Sequence, residues 1–295
     1  MSRIKEVLIT GGDGFTGKYV EQELKARGFR VVNLEERGTK YENIDLRDKL
    51  LLKERLSAVK ANFIVHLAAI SNTQHKPSDD FYTVNTIGTD NLLSAIQETQ
   101  PNVEGVVLAS SANVYGQGCS GVPISEDTPL NPLNHYAVSK VAMEYVVSWY
   151  RKYYPITILR PFNYIGIGQK ENFVVPKIVS AFRNKLPSID LGDVDAVRDF
   201  SDVRDVAKIY ALVLEKKCFF PIINICSGQS VSIREIVSRC SKLTGQKINI
   251  VKKSELCRRN DASKVFANSY ILDKIFPKDR RYTLDETLEW MLKTG

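Results

Sequence analysis

A strand, a glycine-rich turn and a helix follow one another at the amino terminus and limit what this chain can fold into. Residues 7–10 form a short apolar run, glycines recur as Gly11, Gly14 and Gly17, and residues 18–26 are amphipathic with a helical period. Glycine permits a tight turn after the strand and close packing of the helix on it. Because a strand that passes directly into a helix begins a βαβ unit, this start predicts an α/β fold.

The same turn is a candidate site for a dinucleotide. Its glycines would let the backbone approach a pyrophosphate at the amino end of the helix, and Phe15 and Thr16 complete the candidate cofactor-binding residues of the turn. Asp13 adds a carboxylate there, which would weaken dinucleotide binding unless it points outward. Glu35 ends the second predicted strand about 20 residues beyond the glycines, where an acid binds the adenosine ribose hydroxyls. Glu35 favours NAD(H), whereas Arg37 can meet a 2′-phosphate and leaves NADP(H) open.

Short apolar segments continue to alternate with helical patterns through the first half of the chain. Strands are predicted over residues 29–34, 61–69, 105–109 and 155–159, and a helix over residues 80–95. This alternation is typical of a parallel, doubly wound sheet. The rhythm changes without a linker, so we expect a dinucleotide-binding domain over residues 1–165 and a smaller, tightly packed substrate-binding region over residues 166–295. Residues 196–227 are expected to return to the first domain.

Tyr136 and Lys140 are the candidate catalytic pair. On a helix, residues four apart lie on one face, and the apolar run that follows this pair is compatible with a helix. A free phenol titrates near pH ~10, and an ammonium beside it lowers that pKa. Upstream, the strand over 105–109 runs into Ser110 and Ser111, which places hydroxyls at the strand end where open α/β sheets bind ligands. Taken alone, Tyr-x-x-x-Lys is a weak signal, because most such spacings are solvated helix faces.

Composition narrows the classes of protein. The 295 residues are 43% hydrophobic and 25% charged, which indicates a globular chain. The net charge of +7 lies in short clusters without a basic stripe, which disfavours a nucleic-acid-binding protein and suits scattered solvated charge or an anionic small substrate. The five cysteines follow no metal-binding spacing, so we expect reduced thiols and no metal site. No apolar stretch approaches ~18 residues, and no signal-peptide pattern follows Met1, so we predict a cytoplasmic protein without a membrane partner.

Several motifs in a fixed order make the chain resemble an extended short-chain dehydrogenase/reductase. They are the three glycines after Thr10, Ala68 and Ala69 at a strand end, Asn85 before Gly88, Ser111 before Val114, and Tyr136 with Lys140. The carboxyl half is similar to the sugar-nucleotide branch of that family through residues 160–163, 198–203 and 258–261. Residues 168–169, 173–176, 191–193 and 224–228 resemble the GDP-6-deoxy-4-keto-D-mannose reductases.

The resemblance implies a Rossmann-type fold and a role for each motif. Ser111 and Tyr136 would hold the C4 oxygen of a sugar, and Lys140 would lower the pKa of the phenol and grip the nicotinamide ribose. The implied cofactor contacts are Asp45 and Leu46 at the adenine, Ala68, Ala69 and Asn85 along the cofactor, and Phe162 near the nicotinamide. The implied substrate contacts are Phe173 and, at the diphosphate, Asn163, Arg198 and Arg258. Without the resemblance, Asp45 would be assigned to an ordinary turn and both arginines to the surface.

The implied activity is NAD(P)H-dependent reduction of a nucleotide-linked 4-keto-6-deoxyhexose at C4. Ala112 and Asn113 occupy the positions where the dehydratase branch carries an Asp-Glu pair, which argues against dehydration. A 4-epimerase that retains NAD stays open as an alternative. So does a non-catalytic nucleotide sensor, which the intact Ser111, Tyr136 and Lys140 disfavour. The nucleoside base, whether guanosine, thymidine or uridine, and the stereochemistry at C4 also stay open.

Two helical segments look too apolar for ordinary surface helices. Residues 136–154 spread apolar side chains around more than one face, and residues 80–96 form the neighbouring segment. The resemblance implies that two such helices from each subunit form a four-helix interface, so we predict a homodimer. The alternative is that loops of the same subunit cover the surplus face.

Overall fold

The computed structural model of the chain describes residues 4–34, 44–117, 122–257 and 264–294. The α-helices are α1 (Phe15–Ala26), α2 (Lys49–Ser57), α3 (Gly88–Thr99), α4 (His135–Ser148), α5 (Val174–Arg183), α6 (Val203–Glu215), α7 (Ile233–Thr244), α8 (Tyr270–Ile275) and α9 (Leu284–Thr294). The strands are β1 (Glu6–Thr10), β2 (Arg30–Asn33), β3 (Phe63–His66), β4 (Gly105–Ala109), β5 (Ile156–Pro161), β6 (Asn163–Ile165), β7 (Ser188–Leu191), β8 (Val197–Arg198), β9 (Phe200–Asp202), β10 (Ile222–Ile225), β11 (Val231–Ser232), β12 (Asn249–Lys252) and β13 (Lys264–Val265). A π-helix covers Phe81–Ile87, and short 3₁₀ helices cover Ala112–Tyr115, Trp149–Lys152, Ser254–Leu256 and Lys278–Arg280.

The chain divides into two compact units. The first comprises Met1–Val114, Pro132–Arg160 and Ala207–Ile223, and the second comprises Tyr115–Asn131, Pro161–Val206 and Asn224–Gly295. The sequence places one break at residue 165 and a return over 196–227, whereas the first unit breaks after Val114 and after Arg160 and returns over 132–160 and 207–223. Residues 115–131 belong to the second unit. The assignment of the carboxyl-terminal region to substrate binding stays a prediction.

A parallel sheet with a switch in strand order forms the centre of the fold. Within the described residues its order is β10-β5-β4-β3-β1-β2. β1 is parallel to β2 and β3, and β4 is parallel to β3 and β5. The chain therefore passes from β1 to β2 on one side and then crosses to β3 on the other. This arrangement confirms the predicted α/β fold, and the carboxyl ends of β1 and β3 flank the switch point where such sheets bind ligands.

Both faces of this sheet are buried. Leu8, Ile64, Val106 and Ile156 are in register across four neighbouring strands and form one cluster with residues of α2, α3 and α4. The residues that alternate with them are also buried, namely Val7, Ile9, Phe63, Val65, Val107 and Leu159. A strand that is covered on both faces is a continuous run of apolar residues. For this reason the strands could be predicted from the sequence.

The second unit has its own core. Apolar side chains of α5, α7 and α9 pack together with those of β7. The guanidinium of Arg204 lies 3.7 Å from the ring centre of Tyr282 and 3.8 Å from that of Trp290, and it donates to Asp202 over 2.6 Å. This cation between two aromatic rings fixes the first turn of α6 to α9.

The helix predicted over residues 80–95 differs from the observed one. The segment begins as the π-helix Phe81–Ile87 and becomes an α-helix only at Gly88. A π-turn adds one residue to each hydrogen-bonded ring, which the apolar period of the sequence does not reveal. Among the described residues, none of the helices has the length and apolar character needed to cross a bilayer.

Candidate active site

The glycine turn between β1 and α1 allows no side chains at two of its positions. A Cβ on Gly11 would lie 2.6 Å from the backbone nitrogen of Ala68, and Gly11 adopts a φ of +72°. A Cβ on Gly17 would lie 2.1 Å from the carbonyl oxygen of Gly11. Gly14 occupies the N-cap of α1, so the N-cap residue itself places no side chain over the amino end of this helix. The turn thus fits a dinucleotide pyrophosphate, because it presents backbone and a positive helix end at the switch point.

Asn33 at the end of β2 also contacts this turn, which sequence reasoning did not find. Its side chain fills the space that a Cβ on Gly12 would need, at 2.5 Å. Its Nδ2 donates to Asp13 Oδ1 over 2.9 Å, so the exposed Asp13 has a protein partner at the end of β2. Whether Asp13 also contacts a pyrophosphate stays a prediction. Glu35 and Arg37, which carry the predicted choice between NAD(H) and NADP(H), lie outside the described residues.

Asn85 holds the segment after β3 that carries Ala68 and Ala69, which are predicted to line the cofactor. Its Oδ1 accepts from the Ile70 nitrogen over 2.8 Å, and its Nδ2 donates to the Ile70 oxygen and to Ser139 Oγ, each over 3.1 Å. Both amide hydrogens are therefore used within the protein. Asn85 holds the segment that carries Ala68 and Ala69 against α4, and its predicted direct contact with the cofactor is untested.

Asp45 and Leu46, the predicted adenine contacts, lie beside the start of α3. A Cβ on Gly88 would lie 2.8 Å from Leu46 Cβ, which explains why a glycine stands there. Asn91 Nδ2 donates to the Leu46 oxygen over 3.0 Å. The side chain of Arg47 donates to Asp45 over 2.6 Å and holds the pKa of this carboxyl below its usual value. The turn is therefore fixed, and its role at the adenine stays a prediction.

Tyr136 and Lys140 lie one turn apart on α4, whose first turn is capped by Asn134. Both side chains are buried, and Lys140 Nζ donates to the carbonyl oxygen of Ala109 at the end of β4 over 2.8 Å. Ser111 lies two residues after Ala109 and is half-buried. Its Oγ accepts a hydrogen bond from the Asn113 nitrogen over 3.2 Å. The Lys140 bond therefore joins the helix that carries the phenol of Tyr136 to the end of the strand that precedes Ser111.

The charge of Lys140 is set by its burial. Burial lowers the pKa of its ammonium to about 8, and the carboxylate of Glu144, one turn further along α4, acts in the opposite direction. The lysine consequently keeps most of its charge at neutral pH. An ammonium beside a phenol favours the phenolate, and the role of Tyr136 and Lys140 as proton donor and acceptor stays a prediction.

His66 at the end of β3 is a structural histidine. Its Nδ1 lies 2.6 Å from Thr10 Oγ1, and its Nε2 lies 2.9 Å from Thr89 Oγ1. Because the Thr89 hydroxyl donates to the Asn85 oxygen over 2.7 Å, it accepts from Nε2, and Nδ1 accepts from Thr10. Burial lowers the pKa of His66 to about 3, so the ring is neutral. Among the described residues, no group of three or more metal-ligating side chains is able to hold a metal ion.

Asn163, Phe173 and Arg198, which are predicted substrate contacts, lie in the second unit, as does Phe162, the predicted nicotinamide contact. Phe162 is buried and stacks on Tyr115, with ring centres 6.2 Å apart. Asn163 and Phe173 are exposed, at the start of β6 and at the N-cap of α5. Arg198 is half-buried, and its Nη1 donates to the Val197 oxygen over 2.8 Å. Arg258 lies outside the described residues, and the roles of all these side chains stay predictions.

Comparison with known proteins identifies the family. The model of the NAD-dependent epimerase/dehydratase family matches residues 7–226, about three quarters of the chain. The chain belongs to this family. This confirms the resemblance to the extended short-chain dehydrogenases/reductases and makes the protein an enzyme that uses a nicotinamide dinucleotide. The glycine turn and the Ser111, Tyr136 and Lys140 constellation lie within the matched residues.

Two relatives and one solved structure match this chain over most of its length. GDP-6-deoxy-D-talose 4-dehydrogenase of Aggregatibacter actinomycetemcomitans is 36% identical over 279 residues, 94% of this chain and 93% of the relative. GDP-6-deoxy-D-mannose reductase of Pseudomonas aeruginosa is 31% identical over 274 residues, 88% of this chain and 87% of the relative. The structure of RMD from Pseudomonas aeruginosa complexed with NADPH superposes with a TM-score of 0.86 at 27% identity, covering 98% of this chain and 97% of that one.

Proposed function

We propose that the protein reduces the C4 ketone of a nucleotide-linked 4-keto-6-deoxyhexose with NAD(P)H. The observation that carries this proposal is the bond between Lys140 and Ala109, which sets the helix of Tyr136 against the strand end of Ser111. The similarity to two enzymes of GDP-linked 6-deoxysugars supports the substrate class. Ala112 and Asn113 offer no acid directly after Ser111, so the site is suited to reduction rather than to loss of water.

The three catalytic residues divide the proton chemistry between them. The bound nicotinamide supplies the hydride. Tyr136 donates its phenolic proton to the oxygen that forms at C4, while Ser111 donates a hydrogen bond to the same oxygen. The ammonium of Lys140 then stabilises the phenolate that is left, and solvent returns the proton.

The substrate diphosphate is assigned to the second unit. Arg198 and Arg258 offer guanidinium groups, which bind two phosphate oxygens at once, and Asn163 offers an amide. Phe162 and Phe173 provide aromatic surface for the nicotinamide side and for the substrate.

The reaction is tested by incubating the purified protein with NADH or NADPH and enzymatically made 4-keto-6-deoxy sugars linked to GDP, dTDP or UDP. We expect oxidation of the cofactor with the GDP-linked sugar. The absence of oxidation with every sugar would overturn the proposal. Interconversion of sugars by protein that carries bound NAD, with no added cofactor, would identify a 4-epimerase instead.

NADH is expected to give a higher kcat/KM than NADPH. Glu35 follows β2, and a carboxylate at that position hydrogen-bonds the ribose hydroxyls and repels a 2′-phosphate. The ratio of kcat/KM for the two cofactors measures this preference, and Glu35→Gln should reduce it. A clear preference for NADPH in the unaltered protein would overturn the reading of Glu35 and assign the 2′-phosphate to Arg37.

We expect a homodimer formed through α4 and the Phe81–Ile87 segment. Tyr145 and Trp149 are each 66% exposed, and Ile87, Val138 and Tyr153 are also exposed. Large apolar side chains concentrated on neighbouring helices are typical of an interface. Light scattering at micromolar concentration should give twice the monomer mass.

Tyr145→Glu with Trp149→Glu should shift the protein to the monomer, because two carboxylates would be buried in the interface. Tyr270→Glu is the matched control, since Tyr270 is 64% exposed on α8 in the second unit. It should leave the mass unchanged. A monomer mass for the unaltered protein together with full activity would contradict the dimer.

A further inference from the structure

Three polar side chains are buried next to the catalytic strand end and have no part in the proton chemistry. Ser110, Glu144 and Arg160 are 3%, 7% and 3% exposed. Ser110 Oγ donates to Glu144 Oε1 over 2.5 Å. Arg160 donates to the same carboxylate from Nε over 2.9 Å and from Nη2 over 2.5 Å. All three belong to the first unit.

Fold stability is a poor explanation for this buried ion pair. The free energy needed to remove two charges from water nearly cancels the free energy gained from their attraction. Apolar residues of the same volume usually stabilise a fold as well as a buried ion pair does. The neighbours on α4 and β5, such as Met143, Val147 and Ile158, are apolar and buried, so the fold supplies an apolar setting. We therefore look for the role of this ion pair in the segments that it holds in place.

What it holds is the alignment of α4 with the end of β4. Tyr136, Lys140 and Glu144 follow one another at intervals of four, so they lie along one face of α4. Ser110 stands between Ala109 and Ser111. Two consecutive hydrogen bonds therefore connect α4 with the end of β4. Lys140 donates to the Ala109 oxygen, and Glu144 accepts from the Ser110 hydroxyl.

We infer that Glu144, oriented by Arg160 and bonded to Ser110, is a positioning residue that holds the phenol and ammonium of α4 in a fixed position relative to Ser111. The inference rests on the proposed function for its effect on turnover. Arg160 at the end of β5 gives the carboxylate a fixed orientation through a two-point bond. Ser110 transmits this orientation to the backbone that carries the catalytic hydroxyl.

The charge of Lys140 provides a readout that does not need turnover. Among the described residues, Glu144 on the same helix and His66 on β3 interact electrostatically with Lys140. Tyr136 lies one turn away on α4, and Arg160 on β5 is paired with Glu144. His66 is neutral, and Glu144 is the charge that raises the pKa of Lys140 against the effect of burial. Replacing Glu144 by Gln should therefore let Lys140 lose its proton at a lower pH.

The test measures the Kd of NADH by fluorescence between pH 6 and pH 10. Lys140 is expected to grip the nicotinamide ribose, so affinity should fall as pH rises through about 8 in the unaltered protein. In Glu144→Gln the midpoint should lie about one pH unit lower. Lys140→Met should abolish the transition, which assigns it to this lysine.

Turnover supplies the second readout. At pH 7 we expect kcat of Glu144→Gln to fall about tenfold with KM for the sugar nearly unchanged, because a small misalignment costs rate more than binding. Ser110→Ala removes one bond and no charge, so kcat should fall about threefold with the binding midpoint unmoved. Glu98→Gln, which removes an exposed carboxylate paired with Lys53 on the same unit, is the control and should change neither value.

If Glu144→Gln does not fold, Glu144→Gln with Arg160→Met removes both charges and should still lower the midpoint. The inference would be overturned if the pH midpoint of NADH binding did not move in the Glu144 variant that folds and kcat did not change in Ser110→Ala. Failure of the unaltered protein to turn over any sugar would refute the proposed reaction instead, while the NADH midpoint would still test the role of Glu144.

Discussion

Replacing Tyr136 with Phe is expected to lower kcat for ketone reduction by about 100-fold or more, while the Kd of NADH stays within about twofold. The substitution removes only the phenolic oxygen, which in the proposed reaction gives its proton to the C4 oxygen. The ring itself packs edge-on against Phe81, with ring centres 6.1 Å apart, and that contact is retained. Steady-state kinetics with the preferred sugar, together with fluorescence titration of NADH, separate the two effects.

Tyr270→Phe is the matched control for this substitution. Tyr270 is 64% exposed on α8 in the second unit and belongs neither to the proposed site nor to the proposed interface, so the loss of its hydroxyl should leave kcat unchanged. A Tyr136→Phe protein with the kcat of the unaltered enzyme would remove Tyr136 from the mechanism. A loss of NADH binding in the same variant would instead assign the phenol to the cofactor.

Replacing Gly17 with Ala is expected to weaken NADH binding by at least about tenfold, which corresponds to about 1.4 kcal/mol. The new methyl group would lie 2.1 Å from the Gly11 oxygen and 2.5 Å from the Gly12 oxygen, and both are backbone atoms that only a shift of the turn can move. Such overpacking should also lower the free energy of unfolding by about 1–3 kcal/mol. Calorimetric titration with NADH and urea unfolding measure the two effects.

Gly245→Ala separates this contact from a general effect of losing a glycine. Gly245 ends α7 with a φ of +71°, and apart from the adjoining backbone no atom of the described residues lies within 4 Å of the position of a Cβ there. The left-handed conformation should cost about 1 kcal/mol of unfolding free energy, with no change in NADH affinity. If Gly17→Ala bound NADH as tightly as Gly245→Ala, the turn between β1 and α1 would not be the pyrophosphate site.

Much of the first unit was predictable because its signals are local. The strand over 105–109 was predicted with its observed bounds, since a strand buried on both faces is a continuous apolar run. The helix over 80–95 was predicted as one regular helix, whereas its first part is a π-helix. Asn85 in that part is held by Ile70 and Ser139, partners 15 and 54 residues away that no local pattern contains.

The sequence by itself determined the parts of the site whose spacing is short. Three closely spaced glycines determine the turn between β1 and α1, and Tyr136 and Lys140 share a helix face because they are four residues apart. Only the tertiary structure decided how these parts meet. The parallel register of β4 and β5 brings Ser110 and Arg160 to Glu144, and the sheet order brings Gly11 against Ala68. These contacts join residues that are 16 to 57 positions apart in the chain. They form only when the strands pair, so the order of residues along the chain does not reveal them.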